Sequence, residues 1–482
     1  MRRACFKMCF ILIVMAAVAL MAAYSPATSQ LDAAVGAGEQ EKADISVAPD
    51  GRFVVAWTDE TGDGDGYGVL AQAYKGDFSA YPSTFPIDAP AKGHQINGRV
   101  AMGADGTIVG VYNGRGTGEF LSGVFARVFD ETGSPEGGAF LVNTTTAGVQ
   151  QEPDVAVAPD GSFVVVWSSA DQDGDGYGIY AQRYNKNAKA QGDEFKVNTT
   201  TNGDQTRPSV AYAPASGKFV VTWLSFNSGV DPNVKAAVFN ADGSTHTAEL
   251  SVNDAPAQID SYPKVATGAD DSFLIVWLTG DQINGGTDVA GRSYALNGAP
   301  KGDVFNANGF DGEDQISPSP IVVSDGLILV WGSAGNGSAA AAPSIGVKKF
   351  KSDGGLLGAQ ESLSAGDAAV ITKVDAGMDE DGNLFVAWSF KKSSEGDNDT
   401  AARVYGLSTG DDDDDDDDSG DDDDDATDDD DDDDTGDDDT AADDDDDDAS
   451  SGDDDILPPT GDDDDDGFRT PEDDSDDSGC GI

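Results

Sequence analysis

The stretch DVAVAPDGSFVVVWS, residues 154–168, contains a pattern that recurs along most of the chain. Each copy ends in an apolar run that closes on an aromatic residue. These aromatics are 54 to 57 residues apart, at Trp57, Tyr112, Trp167, Trp223, Trp277, Trp331 and Trp388. A period of about 50 residues that carries several short strands is typical of a β-propeller, in which each repeat forms one blade. The sequence therefore predicts a seven-bladed propeller.

The third repeat predicts four strands for each blade. Residues 154–158 (DVAVA) alternate and are small, as an innermost strand near a narrow axis requires. A tight Pro-Asp-Gly turn follows, and residues 162–168 form a continuous apolar run typical of a strand covered on both faces. The more polar residues 179–184 (IYAQRY) and 195–198 (FKVN) predict the third strand and a short outer strand.

The two ends of the repeat region predict how the ring closes. The seventh repeat stops after its third strand, residues 402–407. Residues 32–45 align without gaps with 197–210, which in the third repeat are an outer strand and a crossover. We therefore expect residues near 30–36 to supply the outer strand of the last blade, which removes the open edges that invite aggregation.

The first 29 residues are expected to be a signal peptide. A basic start, with Arg2, Arg3 and Lys7, precedes an apolar run of 14 residues at 10–23. A bilayer-spanning helix needs about 20 such residues, so a cleaved signal is favoured over a transmembrane anchor. Cleavage is expected between Ala23 and Ser29. The mature protein, secreted or on a bacterial cell surface, would then carry no transmembrane segment.

Charge separates a propeller at residues 30–409 from a tail at 410–482. The tail holds 41 Asp residues and contributes −41 of the total net charge of −63, which leaves −22 for the rest. Such a block of like charge predicts a disordered coil that attracts divalent cations and repels nucleic acid. Cys480 is the one cysteine outside the signal peptide. Whether it is an anchor, a disulfide partner or an incidental thiol stays open.

Acidic loops between the second and third strands are candidate calcium sites. In the third repeat Asp171, Asp173 and Asp175 alternate with other residues, and Tyr177 offers a carbonyl. Hard oxygen ligands at alternate positions suit Ca²⁺. The first repeat offers the corresponding residues Asp63, Asp65 and Tyr67. A solvated turn is the alternative, because Asp and Gly are also the commonest turn residues.

Other residues that are often functional have structural explanations here. His94 and His246 occupy different positions in their repeats and are expected at the surface, and no serine-hydrolase, zinc-protease or phosphate-binding sequence is present. The tryptophans are expected in the core rather than on a sugar-binding surface. Asn143 and Asn198 match glycosylation acceptors but recur where a crossover is predicted.

The repeated phrases Q-x-x-P-x-V-A, D-G-x-F-V-V-x-W and D-G-D-G-Y-G resemble those of secreted bacterial seven-bladed propeller repeat proteins with integrin-like Asp-rich calcium loops. The tail, which ends in SDDSGCGI, resembles the Asp-rich linkers ending in Ser-Gly-Cys of such proteins. The resemblance implies the fold and an exported location, and says little about the ligand. Our own interpretation is a monomeric, non-enzymatic binding or adhesion protein whose ligand is an unknown protein or polysaccharide. A polysaccharide-processing lyase or glycosidase and a structural surface or matrix protein are the alternatives. The ligand is expected on the face that carries the acidic loops and the crossovers with Gln95, Gln150, Gln205 and Gln315.

Overall fold

The computed structural model shows seven antiparallel sheets arranged as the blades of a propeller. The signal peptide predicted at 1–29 lies mostly, and the acidic tail wholly, outside the residues that the structure describes. Those residues are 24–26, 31–32, 39–60, 66–88, 93–115, 122–226, 232–253, 260–280, 286–308, 314–333, 343–366, 368–392 and 397–407. Within these ranges every regular element is a strand, and no helix capable of spanning a bilayer is found.

The strands follow one another blade by blade. Two N-terminal strands are β1 (Tyr24–Pro26) and β2 (Leu31–Asp32). Blade 1 contains β3 (Gln40–Val47), β4 (Phe53–Asp59), β5 (Gly68–Tyr74) and β6 (Phe85–Pro86). Blade 2 contains β7 (Gln95–Met102), β8 (Ile108–Arg115), β9 (Ser122–Phe129) and β10 (Phe140–Leu141). Blade 3 contains β11 (Gln150–Val157), β12 (Phe163–Ala170), β13 (Tyr177–Tyr184) and β14 (Phe195–Lys196).

Blade 4 contains β15 (Asp204–Ala213), β16 (Lys218–Phe226), β17 (Asn233–Phe239) and β18 (Thr245–Ser251). Blade 5 contains β19 (Ser261–Thr267), β20 (Ser272–Gly280), β21 (Thr287–Ala295) and β22 (Phe305–Asn306). Blade 6 contains β23 (Gln315–Val323), β24 (Gly326–Ser333), β25 (Ser344–Phe350) and β26 (Glu361–Leu363). Blade 7 contains β27 (Val370–Met378), β28 (Leu384–Lys391) and β29 (Asn398–Leu407).

The predicted ring closure is confirmed. Strand β2 pairs with β29, with Leu31 opposite Ala402 and Asp32 opposite Ala401. Strand β1 continues the same edge, with Tyr24 opposite Leu407. The pairing thus begins inside the stretch predicted as signal peptide, and cleavage directly after Ala23 would leave both strands in place. The N-terminal segment completes the outer edge of blade 7.

The core lies between adjacent blades, and its centre is the second strand of each blade. Trp167, Trp223, Trp331 and Trp388 are 0% exposed, and Trp57 and Trp277 are 2% exposed. The prediction that the tryptophans belong to the core is confirmed. Apolar side chains of β12 pack on those of β16 in the next blade, and the other interfaces repeat this arrangement. Full burial of each large apolar side chain contributes roughly 1.5–3 kcal/mol.

Buried amides fix the crossovers between blades. Asn198 is 1% exposed, and its Oδ1 accepts a hydrogen bond of 2.8 Å from the Ile179 N–H. Its Nδ2 donates to Thr200 O at 2.7 Å and to Gln205 Oε1 at 2.9 Å. Asn143 accepts a similar bond of 2.8 Å from the Val124 N–H. Both asparagines therefore belong to crossovers, as predicted, and are too buried to serve as glycosylation acceptors.

The innermost strands begin earlier than the sequence pattern predicts. Strand β11 starts at Gln150 rather than at residue 154, because the chain is already paired with β12 before it bulges. The glutamines of the Q-x-x-P phrase are consequently buried. Gln95, Gln150, Gln205 and Gln315 are 0–2% exposed, and Gln150 Oε1 accepts from the Trp167 indole N–H at 3.2 Å. These glutamines are therefore buried within the blades and are not displayed on the ligand face.

Candidate ligand-binding site

A β-bulge interrupts the innermost strand of every blade near its start. In six blades the residue in the bulge has a left-handed backbone, which is costly for side chains with a Cβ. The φ angles are 62° at Lys42, 57° at Asn97, 56° at Glu152, 54° at Arg207, 50° at Tyr262 and 48° at Ser317. These residues are 55 apart in sequence, and Thr372 holds the seventh position without a left-handed φ. We call these seven residues the bulge ring.

The bulge ring lines a cavity at the mouth of the central channel. The cavity has a volume of about 470 Å³ and receives residues from the innermost strand of all seven blades. In blade 1 the bulge follows Gln40, which pairs with Asp59 at the start of the loop to the third strand. The mouth therefore opens on the face that carries the acidic loops and the crossovers, where the sequence predicts a ligand. The strained backbone recurs at this place in six of the seven repeats, and backbone strain of this kind clusters at functional sites.

One side of the mouth carries an exposed aromatic ring. Tyr262 is 53% exposed, although most large aromatic side chains of the described residues are buried. The guanidinium carbon of Arg207 lies 3.9 Å from the centre of its ring. Arg207 also lies 3.9 Å from Glu152. The ring is thus held from one side by a cation and leaves its other face available to a ligand.

The mouth is rich in cations, although the protein as a whole is strongly acidic. Five cationic and two carboxylate side chains line the cavity: Lys42, Arg99, Arg207, Lys264, Lys373, Glu41 and Glu152. Lys42 lies 3.5 Å from Glu41 and donates a hydrogen bond of 3.2 Å to Asn97 Oδ1. Neither Lys264 nor Lys373 forms a hydrogen bond or ion pair with any residue that the structure describes.

Charges deeper in the channel shift one another's pKa. Burial, together with the nearby charges of Arg99 and Lys264, lowers the pKa of Lys373 to about 7. Burial raises the pKa of Asp44 to about 7, although Arg99 at 3.4 Å acts in the opposite direction. Burial also acts to raise the pKa of Asp375, but the charges of Lys264 and Lys373, together with hydrogen bonds to Asp44 and Ser319, hold that pKa below its usual range. The channel therefore contains groups that titrate near neutral pH.

The predicted calcium loop of blade 3 is tied to the crossover that follows it. Asp173 Oδ2 accepts from Asn198 Nδ2 at 3.1 Å, and Asp175 Oδ2 accepts from the Gly203 N–H at 3.0 Å. The Tyr177 N–H donates to Asp204 Oδ1 at 3.0 Å. Asp171 is exposed, and its N–H donates to Gly176 O at 2.6 Å. The carboxylates of Asp173 and Asp175 thus bind different partners, whereas the Asp171 contact is made by its backbone.

Carboxylate oxygens suit Ca²⁺, and one buried oxygen of this loop, Asp173 Oδ1, has no hydrogen-bond partner. However, the described residues contain no group of three acidic, His or Cys side chains placed to hold a metal ion. In blade 1 Asp63 and Asp65 lie outside the described residues. Tyr67 is among the described residues. Its N–H donates to His94 Nδ1 at 3.2 Å, and its hydroxyl donates to Glu39 Oε2 at 3.0 Å. Calcium binding by these loops stays a prediction.

Both histidines lie at the surface, as predicted. His94 is exposed beside Tyr67, and His246 is exposed on the outer strand of blade 4. Neither lines the channel mouth. The residues that do line it were missed by the sequence analysis, although the strict 55-residue spacing of the bulge ring was available as a signal.

No protein-family model matches the chain, and no curated protein sequence matches it. Solved structures resemble it at low identity. A protein of unknown function from Dyadobacter fermentans shares 11% identity over 65% of this chain and 95% of its own, with a TM-score of 0.46. The polysaccharide lyase Uly1 shares 12% identity over 81% of this chain and 94% of its own, also at 0.46. The β-propeller domain of the Trilobed protease from Pyrococcus furiosus shares 8% identity over 76% of this chain and 93% of its own, with a TM-score of 0.46. The ligand therefore has to be argued from the site itself.

Proposed function

We propose that the protein is an exported, non-enzymatic binding propeller that holds a saccharide at the mouth of its central channel. The observation that carries the proposal is the exposed Tyr262 ring, supported by Arg207, inside a cavity formed by all seven blades. A large aromatic side chain left exposed in a concave site is a common anchor for a ligand.

The composition of the mouth favours a saccharide. A pyranose ring has an apolar face, which stacks on an aromatic ring, and hydroxyl groups that need donors and acceptors around its edge. Asn97, Ser317 and Thr372 place an amide and two hydroxyl groups around the same cavity as Tyr262. The Asn97 amide and the Thr372 hydroxyl also hydrogen-bond within the protein, whereas the Ser317 hydroxyl makes no bond with the described residues. A volume of about 470 Å³ lies within the range of small-ligand sites. The site thus offers both kinds of contact that a sugar requires.

The acidic loops and the tail are assigned cation-binding roles in this proposal. Calcium at Asp171, Asp173 and Asp175, and at Asp63 and Asp65, would stiffen loops on the same face as the channel mouth. The Asp-rich tail would attract divalent cations outside a bacterial cell, where the protein acts as a secreted or surface-bound monomer. The support for these roles is the residue pattern and the unpartnered Asp173 Oδ1.

A polysaccharide-processing enzyme is the second candidate, because two carboxylates lie at the mouth. Glu41 and Glu152 are each held near a cation, Lys42 at 3.5 Å and Arg207 at 3.9 Å. Both carboxylates are thus engaged with a cation, whereas a general acid has to be free to give its proton to the substrate. The channel also holds a carboxyl group with a raised pKa, Asp44, but it is buried beside Arg99 and does not line the cavity at the mouth. Binding without turnover is therefore the function that we favour.

The proposal is tested by affinity electrophoresis of the full mature chain in gels that contain neutral or acidic polysaccharides. Wild-type protein is expected to be retarded by at least one of them without releasing reducing ends or unsaturated products. Tyr262→Ala should weaken retardation about tenfold, equivalent to about 1.4 kcal/mol. The control Leu356→Ala removes an apolar side chain that is 62% exposed but lies outside the mouth, and should change nothing. Retardation by none of the polysaccharides contradicts the proposal, and depolymerisation favours the enzyme.

A further inference from the structure

The cations of this protein are concentrated at the channel mouth. The chain has only 28 Lys and Arg residues against 91 Asp and Glu, yet five of those cations line one cavity with two carboxylates. Asp44 and Asp375, deeper in the channel, offset part of this positive charge. A cavity whose lining carries an excess of one sign of charge attracts ligands of the opposite sign. The excess indicates which ligand charge the mouth would favour.

Two of the five cations form no hydrogen bond or ion pair with the described residues, although the carboxylate of Asp375, deeper in the channel, is near enough to interact with both. Arg99 lies 3.4 Å from Asp44, Lys42 lies close to Glu41, and Arg207 lies close to Glu152. Lys264 and Lys373 have no hydrogen bond or ion pair, although they are near enough to influence each other's charge. An anionic group bound between them would relieve their mutual repulsion.

The strand β19 places one of these lysines beside the exposed aromatic ring. Tyr262 and Lys264 are two residues apart in this strand, and both line the mouth. Lys373 enters the same mouth from β27 in blade 7. A sugar that stacks on Tyr262 would therefore bring a substituent at its edge toward both ammonium groups.

We propose that the channel mouth selects acidic saccharides, with the ring of the sugar on Tyr262 and its anionic group between Lys264 and Lys373. The inference rests on the proposed function and adds the chemical class of the ligand. The ion pairs at Glu41 and Glu152 leave the opposite side of the mouth less positive, so the anionic group is directed to blades 5 and 7. A carboxylate and a sulfate ester share the required charge.

The proposal is tested by isothermal titration calorimetry of the full mature chain at roughly physiological salt, where diffuse attraction is screened. The probes are a trigalacturonate, its fully methyl-esterified form, a sulfated galactan oligosaccharide and a neutral galactan oligosaccharide. We expect the trigalacturonate or the sulfated oligosaccharide to bind at least tenfold more tightly than the neutral one. Methyl esterification removes the charge from the same sugar and should abolish the advantage of the carboxylate.

The variant Lys264→Gln/Lys373→Gln should weaken binding of the acidic oligosaccharide by about 10-fold for each lysine, since a hydrogen bond to a charged group contributes at least that much. The matched control Lys186→Gln/Lys189→Gln removes two charges from exposed lysines of blade 3 and should leave affinity unchanged. Equal binding of neutral and acidic oligosaccharides would overturn this inference while leaving the saccharide-binding function intact. Binding of neither kind would remove both.

Discussion

Substitution of Ser317 by glycine should stabilise the protein, because the bulge ring holds side chains in a strained backbone conformation. Ser317 has a φ of 48°, and its side chain makes no hydrogen bond with the described residues. A left-handed conformation costs about 1–2 kcal/mol for a residue with a Cβ. Glycine removes that cost but loses about 0.5–1 kcal/mol through its greater freedom in the unfolded chain. The net gain should therefore be about 0–1.5 kcal/mol.

The comparison that isolates this strain is between Ser317→Gly and Ser317→Ala, because alanine loses the hydroxyl but keeps the Cβ. Thr372 provides the matched control, since it holds the same position in blade 7 without a left-handed φ. There the glycine variant should be less stable than the alanine variant by about 0.5–1 kcal/mol. Guanidinium and thermal unfolding of the four variants measure both differences. If Ser317→Gly were no more stable than Ser317→Ala, the strain argument would be refuted.

Three further predictions concern the crossover, the channel and the acidic loop. Asn198→Ala should destabilise the fold by about 1–3 kcal/mol, because it leaves the Ile179 N–H buried without an acceptor. Thermal unfolding measures the loss, with the exposed Asn187→Ala as the control. A melting temperature of Asn198→Ala equal to that of the wild type would contradict the prediction. The affinity for acidic saccharides should fall as the pH rises from about 6 to about 8. The pKa of Lys373 is lowered to about 7, so its ammonium group loses its charge above that pH; the charged groups that face it are Arg99, Lys264, Asp44 and Asp375. Titration at several pH values tests this, Lys373→Arg should flatten the dependence, and a flat wild-type profile speaks against it. Calcium should bind saturably with a Kd on the order of 10⁻⁴–10⁻³ M, and Asp173→Asn should weaken this binding. Calorimetry on the full mature chain measures it, and identical isotherms for the wild type and the variant would reject that loop as a site.

The fold was predictable because its signals are periodic. Every blade repeats an apolar second strand ending at an aromatic residue, and a pattern present seven times cannot arise from one accidental run. Ring closure was also predictable, since residues 32–45 match an outer strand and its crossover, and the structure pairs Leu31 with Ala402. The repeat also identified Asn198 as part of a crossover, where its buried amide proves to be fixed by four hydrogen bonds.

The channel mouth was harder to predict because its residues differ in chemistry from blade to blade. The repeated glutamines drew attention, but they are buried, while the variable residue two positions later faces the cavity. The reason is the bulge, which gives that residue a left-handed backbone and turns the chain before the inner strand resumes. Sequence periodicity locates such a position, but it does not indicate that Tyr262, Lys264 and Lys373 line the same cavity.

The most direct test of the central claim is a crystal structure of the mature protein with bound trigalacturonate. The account predicts a sugar ring stacked on Tyr262, with its carboxylate within hydrogen-bonding distance of the ammonium groups of Lys264 and Lys373. A saccharide bound instead on the outer rim of the blades, with the channel mouth filled only by solvent, would contradict it.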